Sequence, residues 1–378
     1  MISLCLTLSG LLVLSSLYIL IPLLNVLSQD LQSPLYLTAY TNTGFSLFYA
    51  IGFLCVGKLI PQYGSKRILV YGMFGLAITT WITGMATSMQ LLILFRAVQG
   101  FIAAAFAPAA LTYISDHYPP EKRIVVMSCV TTGFITAGII GQIFSSAVND
   151  YWGWRGVFGL LAFAYLALAL LNNFLLVHSS PSEVKQENLF PAFKKFTSHP
   201  DLPKAYFAAF TLLLSFVALY SSLDRYLLSK FQLNSQEAFY IRTMGIAGIA
   251  GSLFVPKLAQ KLSFQQLAAL GIALMLSGLL LCVWSGSVAG VQMALIIFIA
   301  GLLITIPSII TLIGQLAGEM RNMAVTWYTF ILFVGASVGP LIASADDFTL
   351  VIGILAFMLS IAFFSVLRIA SGKGGGSG

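Results

Sequence analysis

Apolar residues run through this chain in long blocks parted by short polar breaks. Twelve blocks can be drawn: 3–26, 36–57, 68–87, 90–114, 124–148 and 156–177, then 205–229, 237–260, 265–284, 288–315, 323–344 and 348–369. A bilayer core admits backbone only as helix or closed barrel, because no water is there to satisfy free N–H and C=O groups. A spanning helix needs about 20 mostly apolar residues. The blocks have that length, and none shows the two-residue alternation of a barrel strand. The pattern predicts an all-α integral membrane protein with twelve transmembrane helices.

Composition agrees: 59% of residues are hydrophobic, with only 19 basic and 12 acidic residues in 378 and a mean hydropathy of +0.95. A soluble domain is about 45–50% apolar. The formal charge of +7 is not gathered on a soluble module, so no nucleic-acid partner is expected. It lies in the loops. With the N-terminus inside, fourteen Lys and Arg fall on the cytoplasmic side, and only Arg155, Arg225 and Lys230 fall on the other. By the positive-inside rule both termini are expected in the cytoplasm. The first block starts almost at Met1, without a basic flank or a small-residue cleavage pattern, and is expected to be a retained helix. Cys5, Cys55, Cys129 and Cys282 lie in or beside apolar blocks and are expected to be small core hydrophobes. Short loops point to a bacterial inner membrane.

The longest polar stretch, from His178 to Lys204, divides the chain near its middle. It predicts an N-terminal six-helix bundle over 1–178, a cytoplasmic linker over 179–204 and a C-terminal six-helix bundle over 205–371. Residues 372–378 read as an appended glycine-rich tail. The halves repeat at an offset near 200: Gly52, Lys58, Leu59 and Gly72 recur as Gly251, Lys257, Leu258 and Gly271. Glu121-Lys122-Arg123 recurs as Glu319-Met320-Arg321, and Gly133 as Gly335. Two halves related as parallel repeats are a known transporter design.

Particular motifs sharpen this. The loop after the second block runs Gly57-Lys58-Leu59-Ile60-Pro61-Gln62-Tyr63-Gly64-Ser65-Lys66-Arg67-Ile68-Leu69. It resembles the G-x-L-x-D-R-x-G-R-K-x-x-L signature of the major facilitator superfamily, with Pro61 in the Asp position and Gln62 in the Arg position. Arg96-Ala97-Val98-Gln99-Gly100 resembles the family's R-x-x-Q-G motif, and Gly153-Trp154-Arg155 its G-W-R entry to the sixth span. Residues 133–142 are a degraded copy, lacking the proline, of G-x-x-x-G-P-x-x-G-G, the pattern of antiporter members. The eleventh block holds a better one, Gly335-Ala336-Ser337-Val338-Gly339-Pro340. The likeness covers essentially the whole chain and is closest to the bacterial drug and metabolite efflux branch. It implies a monomeric secondary transporter in which two bundles rock about a midplane cavity. In the family the loop Asp helps to latch the cytoplasmic side. Here Glu319, paired with Lys66 or Arg67, is a candidate substitute.

The residues themselves nominate two places. Arg96 lies about seven residues inside its block, where a charge costs roughly 2.5–3.5 kcal/mol on insertion scales. Gln99 and Gly100 share its helical face. It is either a cavity cation or a side chain pinned by a neighbouring helix. Asp224 and Arg225 lie near the outer end of the seventh block, pointing about 100° apart. Arg242 follows a short hairpin later, within reach of Asp224. Asp224 is the carboxylate best placed to load and unload a proton; the alternative is a solvated salt bridge. Tyr18, Asn25, Tyr40, Asn42, Phe106, Gln142, Tyr220, Thr305, Gln315, Trp327 and Tyr328 are candidate cavity residues. Gly335, Gly339 and Pro340 suit helices that slide or kink. His117, His178 and His199 are scattered, so neither a metal site nor a catalytic constellation is expected. No phosphate-binding loop or other cofactor motif is present. The expectation is proton-coupled export of a small amphipathic organic compound. An uncoupled facilitator or importer, and a transporter-like receptor, are the rivals.

Overall fold

The computed structural model describes residues 2–177, 196, 199–248, 261–345 and 347–369. Among them the secondary structure is helical, without strands: α1 (Ile2–Ser15), α2 (Leu24–Asp30), α3 (Leu35–Tyr63), α4 (Ser65–Gly84), α5 (Met89–Ala103), α6 (Phe106–His117), α7 (Pro120–Leu175), α8 (Leu202–Phe231), α9 (Ser235–Thr243), α10 (Phe264–Trp284), α11 (Val288–Ala317), α12 (Arg321–Ala343) and α13 (Phe348–Leu367). Nine helical stretches among the described residues are long and apolar enough to cross a membrane, with α5 and α6 counted as one. Ile2–Ser15 is a shorter apolar helix. The protein is an all-α, multi-pass membrane protein. Most of the 179–204 linker, the 372–378 tail and the repeat positions Gly251, Lys257 and Leu258 lie outside the described residues.

Local chemistry sets the breaks. Ser88 and Ser287 cap α5 and α11 by accepting from the N–H groups of Leu91 and Gly290. Ser263 and Gln266 form a reciprocal capping box at the start of α10, which satisfies two N–H groups that a helix start leaves free. Gly64 turns the chain between α3 and α4 at φ +83°, a backbone region that side chains with a Cβ rarely enter. Gly153, at φ +67° and ψ 174°, interrupts α7, so the expected fifth and sixth spans are two arms of one broken helix. The expected first span, 3–26, is not continuous. α1 ends at Ser15, and a 3-10 turn over Ile21–Leu23, with Pro22 at its start, leads into α2. Pro22 has no N–H to carry the helical ladder onward.

The chain packs as two compact units. The first contains Met1–Glu187, Phe216–Thr243 and Ala336–Phe348; the second contains Asn188–Ser215, Met244–Gly335 and Thr349–Gly378. In the first, α3 and α5 touch backbone to side-chain-free backbone: a Cβ on Gly100 would run into the Phe45 carbonyl, and one on Gly52 would lie 2.5 Å from the Phe101 carbonyl. In the second, α10 and α11 meet in the same way at Gly271, Gly278 and Gly301. Lipid is as apolar as leucine, so close packing of small residues replaces the hydrophobic drive between such helices. The cysteine expectation is half corrected. Cys5 and Cys282 are buried, but Cys55 and Cys129 lie on exposed helix faces, where an apolar block in a membrane needs no core partner.

Candidate functional site

Two buried polar networks of the first unit hold the arginines Arg96 and Arg242. Arg96, on α5, is fully buried. It donates through Nη1 to Gln99 Oε1 at 2.8 Å and through Nη2 to the Ser16 carbonyl at 2.9 Å. Gln99 in turn donates to Thr80 Oγ1 at 2.7 Å on α4. The guanidinium carbon lies 4.1 Å from the centre of the Phe45 ring. Ser16 falls in the stretch where α1 has stopped and the Pro22 turn has not begun. The arginine therefore satisfies a carbonyl at the break in the first span, where water is excluded and an unmet carbonyl would be costly. The Tyr165 hydroxyl, 2.6 Å from Ser16 Oγ and donating to the Leu12 carbonyl at 2.8 Å, braces the same break from α7. Among the described residues no carboxylate forms an ion pair with Arg96.

The second network joins α7, α8 and α9. Arg242, only 5% exposed, pairs with Asp224 at 2.5 Å and also donates to Gln142 Oε1 on α7. Gln142 donates its amide back to the Gly138 carbonyl at 2.6 Å, which fixes the direction of its oxygen. Gln142 thus occupies a position of the degraded glycine motif and turns it into an acceptor for a cation from α9. Asp224 Oδ1 and Ser221 Oγ are buried without a hydrogen-bond partner. Both line a cavity of about 30 Å³ together with Asn25, Thr38 and Pro340, room for about two waters. A second cavity, of about 500 Å³, has Asp224 and Arg242 in its wall, with Asn25, Asn149, Asp150 and Tyr240. Asp224 stands between the two.

Arg225 turns away from Asp224, as the 100° offset requires, and donates to the carbonyls of Ala343 and Ala345 at the end of α12. Thr43 on α3 donates to the Ser337 carbonyl of α12 at 2.7 Å. Tyr220 is buried against Phe216, ring centres 4.8 Å apart, and Phe216 meets Tyr18 edge-on at 5.4 Å. At the end of this unit bearing Asp30, the Trp154 indole and the Arg155 guanidinium both donate to Asp30 Oδ2, at 2.8 and 2.7 Å. The indole first, then the guanidinium, hold the Asp30 carboxyl below the usual carboxylate range.

The sequence-nominated residues divide accordingly. Asn25, Tyr220, Asp224, Arg242 and Gln142 come together through these cavities and bonds, whereas Arg96 and Gln99 stand around the α1 break. Asn42 is buried on α3, both of its amide atoms lacking a partner. Trp327 and Tyr328 are buried in the second unit, Trp327 edge-on to Phe330 at 5.3 Å. Gly57 faces open space. Beyond Gly64, the Lys66 ammonium donates to the Leu176 carbonyl at 2.6 Å, tying α4 to the end of α7. Arg67 lies on the exposed side of that turn, and the Glu319 side chain is outside the described residues. A Cβ on Gly335 would strike the Phe210 carbonyl; Gly339 and Pro340 are buried farther along α12. Asn149 and Asp150 fall just past the fifth apolar block, 124–148, where polarity reads as loop. Yet Gln142, Ser146, Asn149 and Asp150 follow i, i+4, i+7, i+8 spacing, the stripe that marks one face of a helix.

The model of the Major Facilitator Superfamily matches residues 6–340. The chain belongs to this superfamily. It is a membrane transporter, not an enzyme, and its partners are a small-molecule substrate and the lipid bilayer. An "Uncharacterized transporter" of Buchnera aphidicola subsp. Schizaphis graminum is 25% identical over 89% of this chain and 81% of its own length. The multidrug export protein EmrB of Haemophilus influenzae is 31% identical, over only 30% of this chain and 22% of EmrB. A bacterial homolog of the lysosomal transporter Spinster, solved in an inward-facing and occupied conformation, shares the fold. Its TM-score is 0.71 at 16% identity, covering 97% of this chain and 93% of that one.

Proposed function

We propose that this superfamily member works by alternating access and exports a small amphipathic organic compound in exchange for protons, with Asp224 as the coupling carboxylate. The observation that carries the reading is the sharing of Asp224. One oxygen pairs with Arg242, and the other is buried without a partner between two cavities. A carboxylate in that position changes its interactions whenever a proton or a cation arrives, and only such a difference can drive one conformation over another. The charged groups around it are Arg242 on α9, Arg225 on its own helix and Asp150 on α7. The names of the EmrB relatives support export. In this reading six-helix bundles over 1–178 and 205–371 rock about the cavity, both termini are cytoplasmic, and a monomer in the bacterial inner membrane is the working unit.

The test is proton flux in proteoliposomes loaded with a pH-sensitive dye and challenged with amphipathic amines, chelates, sugars and amino acids. Substrate-triggered flux is expected in the wild type and its loss in Asp224→Asn. Flux untouched by the substitution removes Asp224 from the coupling path. Movement of radiolabelled compound without proton flux favours the second reading, an uncoupled facilitator or importer, for which the missing proline of the 133–142 motif speaks.

A further inference from the structure

We infer that the 500 Å³ cavity at the Asp30 end of the first unit is a binding vestibule for an organic cation, which competes with Arg242 for Asp224. Its volume lies within the roughly 300–1,000 Å³ of small-molecule sites. Its walls carry two carboxylates, Asp150 and Asp224, against one cation, Arg242. That cation is already engaged by Asp224 and by Gln142, while among the described residues Asp150 has no ion pair. The acceptors left over are Asp224 Oδ1 and Asn149 Oδ1, both buried without partners; the buried donor left over is Arg242 Nε. Phe239, Tyr240 and Tyr151 supply aromatic surface, whose faces attract cations. An anion entering this space would meet two like charges and a guanidinium already paired.

The arrangement makes the ion pair a latch with a competitor. A cationic group reaching Asp224 replaces Arg242 there, and Arg242 retains its second acceptor, Gln142, so it is not left as a bare buried charge. The inference names the substrate class of the proposed export and rests on that reading for its place in the cycle, but not for binding itself.

The experiment uses the full chain in detergent with Ser146→Cys, a cavity-wall position, labelled by trimethylammonium-ethyl or sulfonato-ethyl methanethiosulfonate. Labelling is read at residue 146 by peptide mass spectrometry. Relative to a free thiol in solution, the cationic reagent is expected to be favoured about tenfold, the low end of what a charged cleft does to local concentration. Tetraphenylphosphonium is expected to slow the labelling, and both Asp150→Asn and Asp224→Asn to lower the preference. Asp150 is exposed, so its substitution keeps the test open if Asp224→Asn does not fold. A preference equal to that of the free thiol, or no protection, overturns the inference. Cation preference and protection without proton flux would sink the export reading and leave the vestibule standing. Flux driven only by neutral compounds, with no cation preference, would do the reverse.

Discussion

At the scale of single residues, a membrane-embedded charge is informative because it is expensive, but the expense does not say what the charge is for. Arg96 and Arg242 both sit buried on helices, and they are held differently. Arg242 meets a carboxylate and a cavity wall; Arg96 meets an amide oxygen and a backbone carbonyl at the break after α1. Removing Arg96 strands the Ser16 carbonyl and Gln99 Oε1 in the interior. An unsatisfied buried group costs about 1–3 kcal/mol. Arg96→Met is therefore expected to lower the unfolding temperature of the detergent-solubilised protein markedly. Arg96→Lys is expected to do so less, because an ammonium still donates to one acceptor, although it lacks the planar fork that serves both at once. Scanning fluorimetry of the three proteins checks the order. If Lys proves as damaging as Met, the charge and a single donor count for nothing there and the fork geometry alone holds the break.

At the scale of elements, the hydropathy blocks give the helices because the bilayer leaves so few alternatives, and where the structure departs from them the cause is local. Pro22 hides in an apolar run, so the broken first span is invisible to a hydropathy count yet plain from proline chemistry. Gly64, by contrast, is legible as a motif glycine, and its φ of +83° explains why glycine stands there. Gly64→Ala forces a Cβ into a strained region costing about 1–3 kcal/mol. It is expected to loosen the α3–α4 turn and with it the Lys66 bond to Leu176. Faster amide hydrogen exchange in the first turn of α4, without change in α10, would show this; unchanged exchange would mean the turn absorbs the side chain. The second network was only half legible. Asp224 and Arg242 stand out as charges in apolar blocks and lie 18 residues apart. Gln142 is 100 residues from Arg242, and nothing in a single sequence pairs them. Asn149 and Asp150 look like loop residues because polarity at the end of an apolar block marks a loop and a cavity wall alike.

At the scale of the molecule, the first unit is built from non-contiguous chain: Phe216–Thr243 and Ala336–Phe348 pack with Met1–Glu187. Among the described residues they are joined by polar bonds and by the Tyr18–Phe216 ring contact. Arg242 reaches Gln142, and Thr43 reaches the Ser337 carbonyl at 2.7 Å. A hydrogen bond is worth about 0.5–1.5 kcal/mol net, so such polar contacts can open within a transport cycle, whereas the glycine-lined contact of α3 with α5 brings backbone against backbone and has no such freedom. In the proposed alternating-access cycle the Thr43–Ser337 contact parts when the Asp30 end opens. Cysteines at these two positions, in a chain whose four native cysteines are replaced, joined by a short thiol cross-linker, are therefore expected to stop substrate movement in proteoliposomes. A cleavable linker should restore it on reduction. The same linker between Gly44 of α3 and Ala97 of α5, each replaced by cysteine, where a Cβ at position 44 lies 3.8 Å from that of Ala97, should leave transport intact. Transport that continues with Thr43 and Ser337 fully cross-linked would mean that this joint stays closed throughout the cycle, and the rocking motion would then have to be sought in other contacts.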